Sequence, residues 1–319
     1  MIRLNHHGTY NCFNPKGIGC LMAGLLASVY KKNVSLSYIW QMNVRKKDVQ
    51  WVVQSNLTSQ EDLNALRMAC EKLNINYIGV KVIPFITELP DFEISPCNIY
   101  YGSTTFNRLV YENEQTRTGL FFNPSTFSIE NYISKWGHHM LNFEATITTF
   151  SELMTRDYGS EKLLFIRPDD DSKSFAGEVK QFAEIREWYD RLEGVSNTQL
   201  SKESKIIVSE PYNIQYEWRL WIVDKKVVAS SKYREYFNLS KESGCPPEVV
   251  VFAEARCREY TPHNVFVMDI CLCGDSYYII ECGCMNGAGF YKADIATIVK
   301  YVSEYFGEAC SGLLQVSEP

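Results

Sequence analysis

The sequence lacks the features of a membrane protein or a nucleic-acid-binding protein. Its longest early apolar run, Ile18 to Tyr30, is too short to span a bilayer, and no secretory cleavage signature follows it. The formal net charge of −6 supplies no basic field for non-specific nucleic-acid binding. There is also no short-period repeat and no low-complexity tract. These absences favour a cytoplasmic protein that binds neither membrane nor nucleic acid, and they leave its oligomeric state open.

The composition is that of an ordinary globular protein. The chain has 319 residues, of which 45% are hydrophobic and 22% charged, so about two domains are expected. Its eleven cysteines are an odd number, and several lie inside apolar runs, which favours buried reduced thiols over a secreted disulfide framework. A zinc site at the two Cys-x-Cys pairs, 271/273 and 282/284, is disfavoured because the pairs should point in opposite directions from a hairpin.

The periodicity predicts an α/β unit followed by an α+β region. A strand at Val49 to Val53, a helix from Ser59 to Leu73 and strands at Tyr77 to Ile83 and Cys97 to Tyr101 form the first unit. The turn Gly102 to Thr105 after the last of these strands is either a ligand-binding turn or an ordinary surface loop.

The second half has strands and hairpins without regular βαβ alternation, which indicates the α+β class. Helices are predicted at Val179 to Leu192 and Ala293 to Phe306, and strands at Leu163 to Arg167 and Ile206 to Ser209.

One predicted hairpin carries two opposed carboxylates. Val265 to Leu272 and Tyr277 to Cys282 flank a Gly-Asp turn signal, and the strands hold Asp269 and Glu281. Buried carboxylates that face each other require a cation between them, and Mg²⁺ prefers oxygen ligands. A two-residue loop would place Glu281 on the wrong face, so this interpretation requires an odd-length loop or a bulge. The alternative is that one carboxylate lies in solvent at a strand end.

Cations are placed on neighbouring strands. Arg167 ends a strand and precedes a polar loop that contains Lys173, a pattern that suits a polyphosphate, although both cations have acidic neighbours at 169–171. Glu217 and Arg219 share one face of a strand, and Lys232 and Arg234 repeat the spacing on the partner strand. Such a cluster in an acidic protein favours an anion site, whereas a half-exposed strand is the simpler interpretation.

The order of these residues resembles the ATP-grasp superfamily, in which ATP lies between two antiparallel sheets. The phrases FIRPDDDSKSFAGEV, YEWRLWIVDKKVVASSKYRE and VMDICLCGDSYYIIECG, followed by GAGFY, resemble the ATP-grasp clade that has characteristic arginine and lysine positions. The resemblance covers about residues 47–300. It implies an N-terminal segment of unclear role at 1–45, a small α/β domain at 46–142 and an ATP-grasp domain at 143–319. The latter would have a small lobe at about 150–212 and a large lobe at about 213–319.

The resemblance also implies residue roles. Arg167 and Lys173 would contact the phosphates, and Glu217, Arg219 and Lys232 would face the nucleotide, with Arg219, Arg167 and Lys173 as the catalytic residues. Backbone groups of the segment Ile207, Val208, Ser209 and Glu210 would read the adenine edge. Asp269 and Glu281 would hold Mg²⁺, with Mn²⁺ as an alternative. The superfamily has Asn two residues after the second acid, where this chain has Gly283, so Asn286 is the substitute candidate.

The implied activity is an ATP-dependent, Mg²⁺-dependent carboxylate–amine ligase. An acyl phosphate forms and an amine displaces phosphate, which gives an amide or peptide bond. The substrates would be a small-molecule or peptide carboxylate and an amine. Two alternatives remain: a MgATP-binding protein without ligase turnover, which Gly283 favours, and a small-molecule phosphotransferase.

Overall fold

The computed structural model describes residues 49–83, 86–169, 175–192 and 200–316, with side chains up to residue 310. The predicted N-terminal segment and the loop around Lys173 lie outside the described residues. The strands are β1 (Val49–Gln54), β2 (Asn76–Val80), β3 (Cys97–Tyr101), β4 (Thr146–Thr149), β5 (Leu163–Pro168), β6 (Glu178–Gln181), β7 (Lys205–Ser209), β8 (Ile214–Val223), β9 (Lys226–Glu235), β10 (Asn238–Ser243), β11 (Val265–Cys273) and β12 (Ser276–Gly283). The α-helices are α1 (Gln60–Leu73), α2 (Thr104–Glu112), α3 (Ile129–Trp136), α4 (Phe150–Met154), α5 (Phe182–Leu192), α6 (Pro247–Glu259) and α7 (Ile295–Val316).

The first three strands form a parallel sheet in the order β2–β1–β3, and α1 connects β1 to β2. β1 is buried along its whole length, as expected for a strand covered on both faces. The predicted α/β unit is therefore present. The segment Gly102 to Thr105 is the start of a helix rather than an open turn, because the Ser103 hydroxyl accepts a hydrogen bond from the Phe106 N–H and caps α2.

Two antiparallel sheets follow, which confirms the α+β class. The smaller has the order β4–β7–β5–β6 and the larger β10–β9–β8–β11–β12. The predicted helix at Val179 to Leu192 is wrong at its start. Val179 pairs with Phe165 in the smaller sheet, and α5 begins only at Phe182, whose side chain is buried.

The central strand of the larger sheet has two different faces. Trp218 and Leu220 are buried in a core that includes residues of α3 and α6. Glu217 and Arg219 point the other way, as the alternation of side chains predicts. Two residues further on, Trp221 is buried in a separate core with residues of β1, β3 and α7. This face of β8 is therefore polar at one end and apolar at the other.

The β11–β12 hairpin contains the bulge that the sequence requires. Cys273 pairs with Ser276 across a two-residue loop, and the register then shifts so that Asp269 pairs with Glu281. Ile280 is the extra residue. The bulge also moves Ile279 to the face of Met268, in the apolar core under the sheet, whereas regular alternation from Glu281 would place Ile279 beside Asp269.

A disulfide joins Cys97 at the start of β3 to Cys310 in α7. The expectation of reduced thiols is therefore wrong for this pair. Seven further cysteines of the described part of the chain are free, four of them buried. Within the described ranges, no helix is both long enough and apolar enough to cross a membrane.

Candidate active site

A cleft of about 440 Å³ lies between the two antiparallel sheets. β5 and β6 of the smaller sheet form one wall, and β8, β9, β11 and β12 of the larger sheet form the other. Its polar lining includes Arg167, Glu178, Glu217, Arg219, Tyr233, Arg234, Asp269, Glu281 and Tyr291. A cavity of this size that combines apolar walls with convergent charged groups has the character of a small-molecule site.

Arg219 and Asp269 form a bidentate ion pair on adjacent strands. The Arg219 Nε and Nη2 atoms donate to the two Asp269 carboxylate oxygens at 2.8 and 2.7 Å, and only 3% of the Asp269 side chain is exposed. Burial acts to lower the pKa of Arg219, but the Asp269 carboxylate overrides it, and the pKa lies well above its ordinary value. Burial raises the pKa of Asp269, and Arg219 acts against that rise. The guanidinium is therefore a permanent charge directed at the cleft.

A second arginine–carboxylate pair connects the two sheets. The Arg167 Nη2 atom of β5 donates to Glu281 of β12, and its Nη1 atom contacts the Ile280 carbonyl oxygen at 3.4 Å. Only 11% of the Arg167 side chain is exposed. Because Asp269 and Glu281 are paired across the hairpin, the two arginines and two carboxylates form one cluster.

Glu217 completes this cluster through a tyrosine. The Tyr233 hydroxyl donates to Glu217 Oε2 at 2.7 Å and lies 3.4 Å from Asp269 Oδ2. Burial raises the pKa of Glu217, whereas the Tyr233 hydrogen bond and the nearby Arg234 lower it. Arg234 is 52% exposed, and its guanidinium lies 3.6 Å from Glu217. Glu217 therefore shares its hydrogen-bonding hydroxyl with the buried Asp269.

The family comparison identifies this arrangement. Residues 108–302 match the model of an ATP-grasp domain, family 3 of the clade with characteristic arginine and lysine positions, and this segment spans more than half of the chain. The chain belongs to this family. Its fold is the ATP-grasp fold, and the family indicates ATP binding and ATP-dependent ligation as the general class. A search of curated proteins found no match.

Solved structures with low sequence identity are also similar to the chain. One is a RimK domain ATP-grasp protein from Sphaerobacter thermophilus, at 10% identity and a TM-score of 0.48, with 83% of this chain and 99% of that chain covered. Another is D-alanine–D-alanine ligase from Bacillus anthracis, with the same identity, TM-score and coverage. A third is the macrocyclase MdnC from Microcystis aeruginosa, bound to its precursor peptide MdnA, at 11% identity and a TM-score of 0.44, with 83% and 99% covered.

The ATP-grasp cleft brings together five of the residues singled out in the sequence: Arg167, Glu217, Arg219, Asp269 and Glu281. The acidic neighbours are not the partner of Arg167. Asp169 instead accepts the Glu130 N–H at the start of α3. Lys173 lies outside the described residues, so its role remains a prediction.

Lys232 is not part of the ATP-grasp cleft, which corrects the sequence interpretation. A bulge between Glu217 and Trp218 places Arg234 opposite Glu217 and Lys232 opposite Trp218, on the other face of the sheet. There the Lys232 ammonium forms ion pairs with Glu235 at 2.9 Å and with Glu242. Arg234 therefore takes the position in the cleft that sequence spacing assigned to Lys232.

The adenine-reading segment Ile207 to Glu210 also requires correction. β7 is an inner strand that pairs with β4 on one side and β5 on the other, so the backbone groups of Ile207 and Val208 take part in two ladders. None of the four residues lines the cleft, and the Glu210 carboxylate pairs with Lys162 at 2.7 Å. Tyr212, two residues further on, is the lining residue on this side.

Asn286 is not a metal ligand, because its side chain is fully buried and fully hydrogen-bonded. Its Nδ2 atom donates to the Tyr100 and Gly119 carbonyl oxygens at 2.6 and 2.9 Å, and its Oδ1 atom accepts the Phe121 N–H at 2.8 Å. Gly283 ends β12 opposite Val267 and contributes no side chain. The two carboxylates are therefore the acids that the described cleft offers to a cation.

Three functional candidates were not predicted from the sequence: Tyr233, Arg234 as a cleft residue, and Tyr291. Tyr291 is the last residue of the GAGFY phrase, which carried the family resemblance without a role for its tyrosine. Tyr233 and Arg234 are consecutive and both line the cleft, which regular strand alternation does not allow. The β9 bulge is the reason, and no local sequence signal marks it.

Proposed function

We propose that this chain is a Mg²⁺-dependent ATP–carboxylate ligase that joins a carboxylate to an amine through an acyl phosphate. The observation that carries the proposal is the paired cluster of Arg167, Arg219, Asp269 and Glu281 between the two sheets of an ATP-grasp fold. Phosphoryl transfer requires both cations for the phosphate oxygens and carboxylates for the metal, and this cluster contains both.

The donor set fits a magnesium ion that retains several waters. Asp269 and Glu281 occupy paired positions of one hairpin, and the Glu281 charge contributes to the raised pKa of Asp269. No group of three or more acids, histidines or cysteines able to hold a metal occurs among the described residues. Two carboxylates with water match the preference of Mg²⁺. When bound, the ion would neutralise charge on the phosphate oxygens.

The chain's own residues supply orientation and positive charge. Arg219 presents a fork of N–H groups that fits two phosphate oxygens as well as it fits the Asp269 carboxylate. Arg167 approaches from the smaller sheet, so the reacting group would be held from both walls. We propose that both guanidiniums exchange their carboxylate partners for phosphate when nucleotide binds, and that Lys173 contributes a further charge from its loop.

The acid and amine are proposed to be small molecules or peptides in the cytoplasm. The test is to incubate the protein with ATP, Mg²⁺ and pools of amino acids and dipeptides. ADP, phosphate and a condensed product are then measured by mass spectrometry. Ligation gives one ADP and one phosphate for each amide formed. A phosphorylated product without free phosphate would instead identify a phosphotransferase.

Removal of either carboxylate should abolish Mg²⁺-dependent ATP turnover while the fold survives. Asp269→Asn and Glu281→Gln each remove a charge but keep shape and hydrogen-bonding capacity. The loss expected for such a group is on the order of 100-fold or more. Circular dichroism provides the folding control, and Glu254→Gln, on α6 outside the cleft, is the matched control variant. Turnover at the wild-type level in either site variant would contradict the assignment.

The second candidate is a MgATP-binding protein without ligase turnover. Gly283 stands where the superfamily has a metal-binding Asn, and Asn286 is committed to backbone hydrogen bonds. Tight MgATP binding without ADP release from any substrate pool would favour this candidate.

A further inference from the structure

Two tyrosines stack on the side of the cleft where Arg219 lies. The Tyr233 and Tyr291 rings are 5.0 Å apart and within 11° of parallel. The Arg219 guanidinium lies 5.1 Å from the centroid of Tyr291 and 5.9 Å from that of Tyr233. At these distances the negative ring faces attract a cation. Arg219 is therefore held by the rings as well as by Asp269.

The backbone of Tyr291 is strained, and its neighbours hold it in that state. Its φ of +54° lies in the left-handed region, which a bulky aromatic residue rarely adopts. On one side Phe290 is fully buried and stacks on Tyr101 with a centroid distance of 4.9 Å. On the other side the Lys292 N–H donates to Ser231 Oγ at 3.1 Å. Strain that the surrounding structure maintains in a cleft indicates a functional reason for the orientation of the ring.

The second tyrosine connects the rings to the carboxylates. Tyr233 is 6% exposed, and its hydroxyl donates to Glu217. This hydrogen bond fixes the ring that Tyr291 stacks upon. The stack is thereby attached to two strands, β9 through Tyr233 and the segment after β12 through Tyr291. Neither ring needs to move when a partner of Arg219 changes.

We propose that the Tyr233–Tyr291 stack is a positioning element that keeps the Arg219 guanidinium at the cleft surface while its partner changes from Asp269 to a nucleotide phosphate. An arginine that leaves a buried carboxylate loses two hydrogen bonds that fixed its direction. The ring faces attract the guanidinium whichever anion it binds, so they preserve its position through the exchange. This inference rests on the nucleotide site of the proposed function.

Substitutions at Tyr291 test the positioning role because they leave the Arg219–Asp269 pair in place. Tyr291→Phe keeps the ring, whereas Tyr291→Leu keeps apolar volume and removes the ring. Affinity for MgADP is measured by calorimetry, and unfolding temperature is measured in parallel. We expect the Phe variant to bind within about twofold of wild type and the Leu variant to bind about tenfold more weakly.

Tyr291→Gly separates this role from a purely structural one. Glycine adopts the positive φ without strain, so the variant should keep or raise the unfolding temperature while it binds MgADP as weakly as the Leu variant. Affinity losses that occur only together with losses of stability would overturn the proposal. So would equal affinity of the Leu and Phe variants, in which case nucleotide binding stands and only the positioning role fails. Absence of MgADP binding by the wild-type protein would overturn both.

Discussion

At the scale of single residues, Asn286 shows that a polar residue near a catalytic hairpin can be structural. It follows the acid Glu281 by five positions, and in sequence it was the natural substitute ligand. In the fold its amide joins three backbone groups, at Tyr100, Gly119 and Phe121, that belong to the N-terminal α/β unit. Buried backbone groups that lack a partner are costly, and this asparagine satisfies three of them at once.

Asn286→Ala should therefore destabilise the protein rather than weaken metal binding. Loss of a fully buried amide that serves three backbone groups is expected to lower the free energy of unfolding by about 3 kcal/mol or more. Urea denaturation measures the change. Asn238→Ala is the matched control, because Asn238 is exposed and bonds only the nearby Tyr236 carbonyl oxygen; it should change stability by less than about 0.5 kcal/mol. Equal stability of the two variants would contradict the structural role.

At the scale of elements, irregularities in two strand pairings determine which side chains meet in the cleft. The bulge at Ile280 aligns Glu281 with Asp269, and the bulge after Glu217 exchanges Lys232 for Arg234. The first was predictable, because two buried carboxylates on one hairpin needed a register that opposed them. The second was not, because Lys232 and Arg234 fit regular alternation equally well. A one-residue shift moves each following side chain to the other face.

A covalent connection between elements gives a second testable property. The disulfide joins β3 to α7 across 213 residues of sequence, so it restricts the unfolded chain strongly. Cys97→Ser should lower the free energy of unfolding by about 2–4 kcal/mol without reductant. With dithiothreitol present, wild type and variant should be equally stable. Cys245→Ser, which removes a half-buried free thiol, is the control. An intact mass that corresponds to two reduced thiols in the purified protein would contradict the bond.

At the scale of the whole molecule, the charged cluster balances itself across two sheets. Arg167 comes from the smaller sheet and Glu281 from the larger, while Arg219 and Asp269 are adjacent in the larger sheet. Both metal-binding candidates are thus neutralised by guanidiniums. A divalent cation must compete with these arginines, unless nucleotide phosphates draw them away. Nucleotide and metal binding should therefore be coupled.

Mn²⁺ should accordingly bind much better in the presence of ADP than in its absence. A coupling of about 1–3 kcal/mol is typical between linked sites, so a gain of roughly tenfold in Mn²⁺ affinity is expected. Electron paramagnetic resonance titration of free Mn²⁺ with and without ADP measures it. Asp269→Asn should bind Mn²⁺ weakly under both conditions. The same affinity with and without ADP in the wild-type protein would show that the arginines do not block the carboxylates.

The sequence by itself determined the fold family and most of the charged cluster. Alternating apolar and charged residues indicated the strands of the larger sheet, and the opposed Asp269 and Glu281 required a bulge, because local side-chain direction and the cost of buried charge are encoded residue by residue. Arg167 and Arg219 followed from their places on strands. These features depend on short segments and on their order in the chain.

Only the tertiary structure decided which polar groups are free to act. Lys232, Asn286 and the segment 207–210 all had suitable chemistry, but each is committed elsewhere by ion pairs, backbone hydrogen bonds or inner-strand pairing. The stack of Tyr233 and Tyr291 joins positions far apart in sequence. Such commitments arise between segments that meet only on folding, so no local pattern reveals them.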